Sequence, residues 1–211
     1  MIRIRQIKIN LDSKQDIKDK VSKILHINVN EIKSLKINKK SLDARKKDNL
    51  FYVYEVDIEV ENEKKLLRKY KSNDIFETPN EKYIFPPKKE IVQPIIIGCG
   101  PAGLFCAYIL SEQGYNPIIY ERGEKVEDRV KTIEKFWNTN KLNVNSNIQF
   151  GEGGAGTFSD GKLNTLTKDK FNRQKKVFEI FVENGAPEEI MYINNPHIGT
   201  DILRTVIINM R

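Results

Sequence analysis

The stretch from Pro94 to Gly123, PIIIGCGPAGLFCAYILSEQGYNPIIYERG, constrains this chain more than any other part of it. A short apolar run (Ile95, Ile96, Ile97) enters Gly98-Cys99-Gly100-Pro101-Ala102-Gly103, a G-x-G-x-x-G. An apolar helical run over Leu104 to Leu110 follows, Gly114 stops it, and a second apolar run (Ile118, Ile119, Tyr120) ends on Glu121. Strand, glycine loop, helix, strand and acid in that order are the first half of a βαβ unit whose loop cradles a dinucleotide. Gly98 permits the tight turn out of the strand, Gly100 lets backbone approach a pyrophosphate, and Gly103 lets helix and strand pack closely. Pro101 suits the first helical turn, where its missing N–H is not needed. The helix N-terminus offers N–H groups and partial positive charge to phosphate oxygens. Glu121 lies 23 residues after Gly98, the place of the acid that accepts from a ribose 2′-OH and repels a 2′-phosphate.

A second glycine-rich stretch, Asn147 to Thr167 (NIQFGEGGAGTFSDGKLNTLT), holds Gly151, Gly153, Gly154, Gly156 and Gly161. Such a segment adds little to a core but suits a backbone lying against a flat or phosphorylated ligand. Between the two stretches, Arg122 and Arg129 are candidate pyrophosphate partners, because a guanidinium fork matches phosphate oxygens. Trp137 reads as a packing residue at the end of a charged helix over 124–135. His197 precedes a helix capped by Thr200 and is a weak candidate for acid–base work. A further helix is expected over Phe171 to Glu183.

Charge divides the chain. Residues 1–93 carry 22 of the 36 Lys and Arg but 15 of the 29 Asp and Glu, so the whole net charge of +7 belongs to them. That segment reads as β-α-β-β. An alternating strand spans Ile2 to Ile9 with a break in period near Gln6, and a helix capped by Asp12 or Ser13 spans Gln15 to Leu25. Strands follow at 32–38 and Phe51 to Val60, with a charged helix over Glu63 to Tyr70 and a short strand near Tyr83 to Phe85. The run 39–47 (KKSLDARKK) reads as a solvated connection, with a phosphate or RNA contact as the alternative. The expected division is therefore a basic α+β domain over 1–84, a linker over 85–93, and an incomplete Rossmann-like α/β domain over 94–211. Two strands are clear in that last part, where a doubly wound fold needs more, so the chain is expected to be truncated or split, with a separate chain completing it. No apolar run reaches the ~20 residues of a membrane span, and no signal peptide is read, so a cytoplasmic location is expected. Cys99 and Cys106 read as small packing residues, not a redox pair, and no metal site is expected.

The segments GCGPAGLFCAYIL, IIYERG, NSNIQFGEGGAGTFSDGKLNTLTKD and PHIGTD together resemble the uncharacterised FAD-dependent dehydrogenases of bacteria. These are often called NAD(FAD)-utilising dehydrogenases, of the glutathione-reductase-like flavoprotein superfamily. The basic segment with KINKKSLDARKK resembles their N-terminal extension. The resemblance implies FAD as the cofactor, with NAD(P)H or an organic molecule as hydride donor. It places the pyrophosphate on Gly98, Gly100, Pro101, Ala102 and Gly103, the adenosine ribose on Glu121, and Arg122 and Arg129 nearby. Gly153, Gly154, Gly156 and Thr157 would lie along the pyrophosphate or flavin. The small-molecule substrate is not implied. A non-catalytic nucleotide- or RNA-binding module, acting through the basic first domain, is the alternative function.

Overall fold

The computed structural model describes residues 1–70, 72–159, 161–163 and 168–211. The second glycine-rich stretch therefore reaches in part (Asp160 and residues 164–167) outside the described residues. The chain divides into two compact units: Met1–Glu81 with Met191–Asn194, and Lys82–Ile190 with Asn195–Arg211.

In the first unit, β1 (Ile2–Asn10), α1 (Ile17–Leu25), β2 (Ile32–Asp43), β3 (Phe51–Val60), α2 (Glu63–Lys69) and β4 (Ile75–Glu77) follow in order. The strands form an antiparallel sheet ordered β2-β3-β1-β4. Alternation decides its two faces. Ile2, Ile4 and Ile7 of β1, with Val56, Ile58 and Val60 of β3, bury against Val21 and Leu25 of α1. The broken period near Gln6 is a bulge: pairing shifts between Ile4 and Ile7, and Gln6 takes a φ of 56°. One extra residue there returns Ile7 to the core face. α1 starts on Asp16, whose carboxylate accepts from the Lys18 N–H at 2.6 Å. It ends on His26 in the left-handed region.

Two expectations are corrected here. β2 does not stop at Asn38; Lys39 to Asp43 continue the ladder opposite Glu55 to Phe51. A second register shift at Asn38 hides the alternation in sequence. The lysine run is thus half strand: Lys40 lies over the Tyr52 ring at 4.4 Å, and Arg45 forks onto Asp43 at 2.7 and 2.8 Å. The fourth strand is Ile75–Glu77, paired with β1, and not Tyr83 to Phe85. Those rings pack edge to face at 5.0 Å ahead of Pro86-Pro87, which offer no donors for a ladder.

In the second unit, β5 (Ile95–Ile97), α3 (Pro101–Glu112) and β6 (Ile118–Tyr120) form one βαβ crossover, with the strands parallel and Ile95 opposite Ile118. α4 (Val126–Thr139), α5 (Arg173–Glu183) and α6 (Thr200–Met210) follow. The apolar faces of these helices meet at Leu104, Val126, Ile180, Phe181, Val206 and Ile207. Ends move by a turn or less from the sequence reading, and α6 is capped by Gly199, not by Thr200. Trp137 is exposed, because Phe136 rather than Trp137 continues the inward stripe of Val126, Arg129 and Ile133. The overall class is mixed α/β, with a partial Rossmann-like βαβ fold. Among the described residues, no helix is long and apolar enough to cross a membrane.

Candidate functional site

The turn leaving β5 is held by its glycines and by Glu121. Gly98 adopts a φ of 93°, and its N–H donates to the Tyr120 carbonyl at 2.7 Å. A Cβ on Gly103 would collide with the Gly98 carbonyl oxygen, so helix and strand approach as closely as that glycine allows. Gly98 and Gly100 are different: among the described residues, a Cβ at either meets nothing within 4 Å. Open space therefore stands over this part of the loop. Gly100 is the N-cap of α3, Pro101 opens the helix, and no side chain caps it. The first-turn N–H groups of Ala102 and Gly103 have no carbonyl one turn back to receive them. A phosphate oxygen satisfies such donors and is favoured by the helix dipole.

Glu121, at the end of β6, closes the loop from the side. Its carboxylate accepts from the Cys99 N–H at 2.6 Å and the Gly123 N–H at 2.8 Å. Burial pushes its pKa up, but the N–H groups of Gly123, Cys99 and Arg122 outweigh burial and hold it below the ordinary glutamate value. Two oxygens offer about four acceptor positions, so these three N–H groups still leave capacity for a ribose hydroxyl. Carboxyl ends of parallel strands are where open α/β sheets bind ligands.

The second glycine stretch folds onto the first. The Gly153 N–H donates to the Cys99 carbonyl at 2.8 Å. A Cβ on Gly154, at φ 69°, would stand 2.8 Å from Pro101 Cδ and 3.5 Å from Gly100 Cα. Two side chains pin this wall to α4. Arg129 is buried, and its five N–H donors go to the carbonyls of Asn147, Ile148, Glu152 and Gly154. Glu152 is also buried; its carboxylate accepts from the Val126 N–H at 2.8 Å, at the start of α4, and from Arg211 at 2.9 Å. The reading of Arg129 as a pyrophosphate ligand is corrected accordingly, because every donor it has is engaged by loop carbonyls. Burial lowers its pKa, while Glu121, Glu152 and Glu124 act against that shift.

Other expected site residues are placed as follows. Arg122 is exposed, its guanidinium 4.2 Å above the Phe150 ring. Gly156 lines a mainly apolar cavity of about 460 Å³, together with Pro101, Phe105, Gly153, Phe181 and Ile207. Thr157 is fully buried beneath Gly153, its hydroxyl without a hydrogen-bond partner among the described residues. His197 is exposed, bridges to Lys162 and lines neither this cavity nor the one of about 520 Å³ beside Cys99, Glu121 and Glu152. Cys99 is buried and its thiol is pushed up to about 11 by burial, then by Glu152 and Glu121. Cys106 is exposed, so only Cys99 packs as expected, and both thiols are free. Glu152 and Arg211 were not legible as site residues. The signal for Glu152 was an acid alone among glycines, which a merely flexible loop has no reason to contain.

Residues 96–151 match the NAD(P)-binding Rossmann-like domain family, and residues 1–59 match a domain of unknown function, DUF8436. An uncharacterised protein of Clostridium beijerinckii is 44% identical over 214 aligned residues that take in the whole of this chain. The chain spans 40% of the length of that relative. An uncapped helix start, open space over Gly98 and Gly100, and an acid with spare acceptor capacity fit the adenosine-diphosphate half that FAD and NAD share. Residues 96–151 of the second unit are thus similar to a nucleotide-binding module of the Rossmann-like kind.

Proposed function

We propose that this chain is the FAD-binding portion of a flavin-dependent oxidoreductase. The observation that carries the reading is the meeting of both glycine stretches at the uncapped start of α3, with space left over Gly98 and Gly100. The N–H groups of Gly100, Ala102 and Gly103 would hold the pyrophosphate, while Gly98, whose N–H goes to Tyr120, and Pro101, which has none, shape the loop for its close approach. Glu121 takes the ribose hydroxyls and disfavours a 2′-phosphate. Gly153 and Gly154 form the facing wall, and Gly156 leads into the apolar cavity, whose lining suits a flat ring. FAD held by these residues would supply redox chemistry of the hydride-transfer kind, with a reduced nicotinamide or an organic molecule as donor. The family match to NAD(P)-binding domains favours a second reading, a nicotinamide dinucleotide in the same cradle.

Absorbance spectra of the purified chain with added FAD, beside calorimetric titrations with FAD, NAD and NADP, test both. Binding of FAD with flavin bands is expected, and Gly100→Val, which fills the open space, should weaken it at least tenfold. Saturable binding of NAD without FAD would favour the second reading. Binding of neither, by a folded chain, would remove the oxidoreductase role from this chain alone.

A further inference from the structure

The loop after β6 and the second glycine stretch meet at two glycines of the second unit. A Cβ on Gly123 would stand 2.5 Å from Gly151 Cα, and one on Gly151 would collide with the Arg129 side chain, so neither position has room for a side chain. The residues before those glycines are Arg122 and Phe150, and the Arg122 guanidinium lies 4.2 Å from the Phe150 ring centroid. Phe150 sits on a pinned turn. The Asn147 N–H donates to its carbonyl at 3.3 Å, and the Asn147 side chain accepts from the Gln149 N–H at 2.8 Å. Arg129 holds the carbonyls of Asn147 and Ile148. The Phe150 ring belongs neither to the buried cluster of the unit nor to the apolar side chains packed on that cluster. A phenylalanine held rigidly outside a core, in a run of glycines and polar residues, offers a flat apolar face that loses little freedom when a ligand stacks on it.

We infer that Phe150 and Arg122 bind the base of the dinucleotide by stacking on it, the base being adenine in FAD and NAD alike. Position argues for that ligand. Arg122 follows Glu121 directly, and its N–H is one of the three that hold the Glu121 carboxylate. The base of a nucleoside is joined to C1′, the carbon next to the one that bears the 2′-OH. A ribose bound by Glu121 therefore brings its base to the neighbouring residues. Chemistry argues for it too, since bases stack on aromatic rings and on guanidinium planes, the two groups that this pair offers. The pair then selects nucleotides that carry a base beyond the pyrophosphate, FAD over FMN. This inference rests on the dinucleotide reading of the α3 cradle and not on the choice between FAD and NAD.

The test is calorimetric titration of the full chain with ADP, the half common to both dinucleotides, beside inorganic pyrophosphate, which lacks the base. Phe150→Ala should weaken ADP binding about tenfold, within the range for one stacked base, and leave pyrophosphate binding unchanged. Phe150→Trp should keep the ADP affinity and gain a fluorescence quench on ADP addition that wild type lacks. A thermal melt checks that both variants are folded. An ADP affinity unchanged by Phe150→Ala, or ADP and pyrophosphate weakened alike, would overturn the inference and leave the cradle reading standing. A wild-type chain that binds neither would remove the cradle reading, and this inference with it.

Discussion

Gly100 and Gly103 are the same residue type three positions apart, yet they do opposite work. At Gly103 a methyl group meets backbone, so Gly103→Ala should destabilise by about 1–3 kcal/mol, the usual range for overpacking, as read from urea unfolding. At Gly100 it meets open space, so Gly100→Ala should stay within about 1 kcal/mol of wild type while weakening dinucleotide binding. Equal loss of stability in both variants would contradict this division. Arg129 is the residue on which the second glycine wall hangs. Arg129→Met leaves four carbonyls without their donors and should cost about 3–5 kcal/mol; Arg129→Lys, with three donors in place of five, should recover only part. For Glu121 the folded pKa lies below the unfolded one. Its contribution is therefore complete above the unfolded value of about 4.3 and is lost as pH falls through the folded value. Glu121→Gln should flatten the acid limb of the stability curve below about pH 4.3, and an unchanged limb would sink that assignment. The two thiols should also separate: alkylation at pH 8 should modify Cys106 and spare Cys99, whose pKa is about 11.

At the scale of elements, the sheet of the first unit shows how polar residues can be built into a strand pair. Arg3 and Asp57 face each other across β1 and β3, both buried, joined by two bonds of 2.8 and 2.9 Å, with Glu81 on the remaining Nη1 at 2.7 Å. Removing one partner alone strands the other's charge, so Arg3→Met should destabilise by about 3–5 kcal/mol, while Arg3→Met with Asp57→Leu should recover most of that. A double-mutant cycle reads the difference. Helix caps were not legible residue by residue: Asp16 caps α1 in place of the expected Asp12 or Ser13, and Gly199 replaces the expected Thr200 because backbone conformation alone sets that end. The continuation of β2 past Asn38 was hidden for a related reason, since a bulge shifts the alternation that reveals strands.

For the whole molecule, two units each carry their own buried cluster. A fragment of residues 1–81 should therefore unfold cooperatively in urea, whereas a broad, non-cooperative transition would show that its core does not suffice. The +7 charge belongs to the segment before the βαβ unit. Its most conspicuous cluster is not a free basic arm, since Lys39 and Lys40 lie within the β2 ladder and Arg45 is held by Asp43.

The order of apolar runs, glycines and acid between Pro94 and Gly123 determined the βαβ unit by itself, because tight turns, close packing and helix starts are local demands that few residues meet. What Arg129 does was decided only by tertiary structure. Its type announces a phosphate partner, and nothing in the spacing reveals that Asn147, Ile148, Glu152 and Gly154 turn their carbonyls toward it.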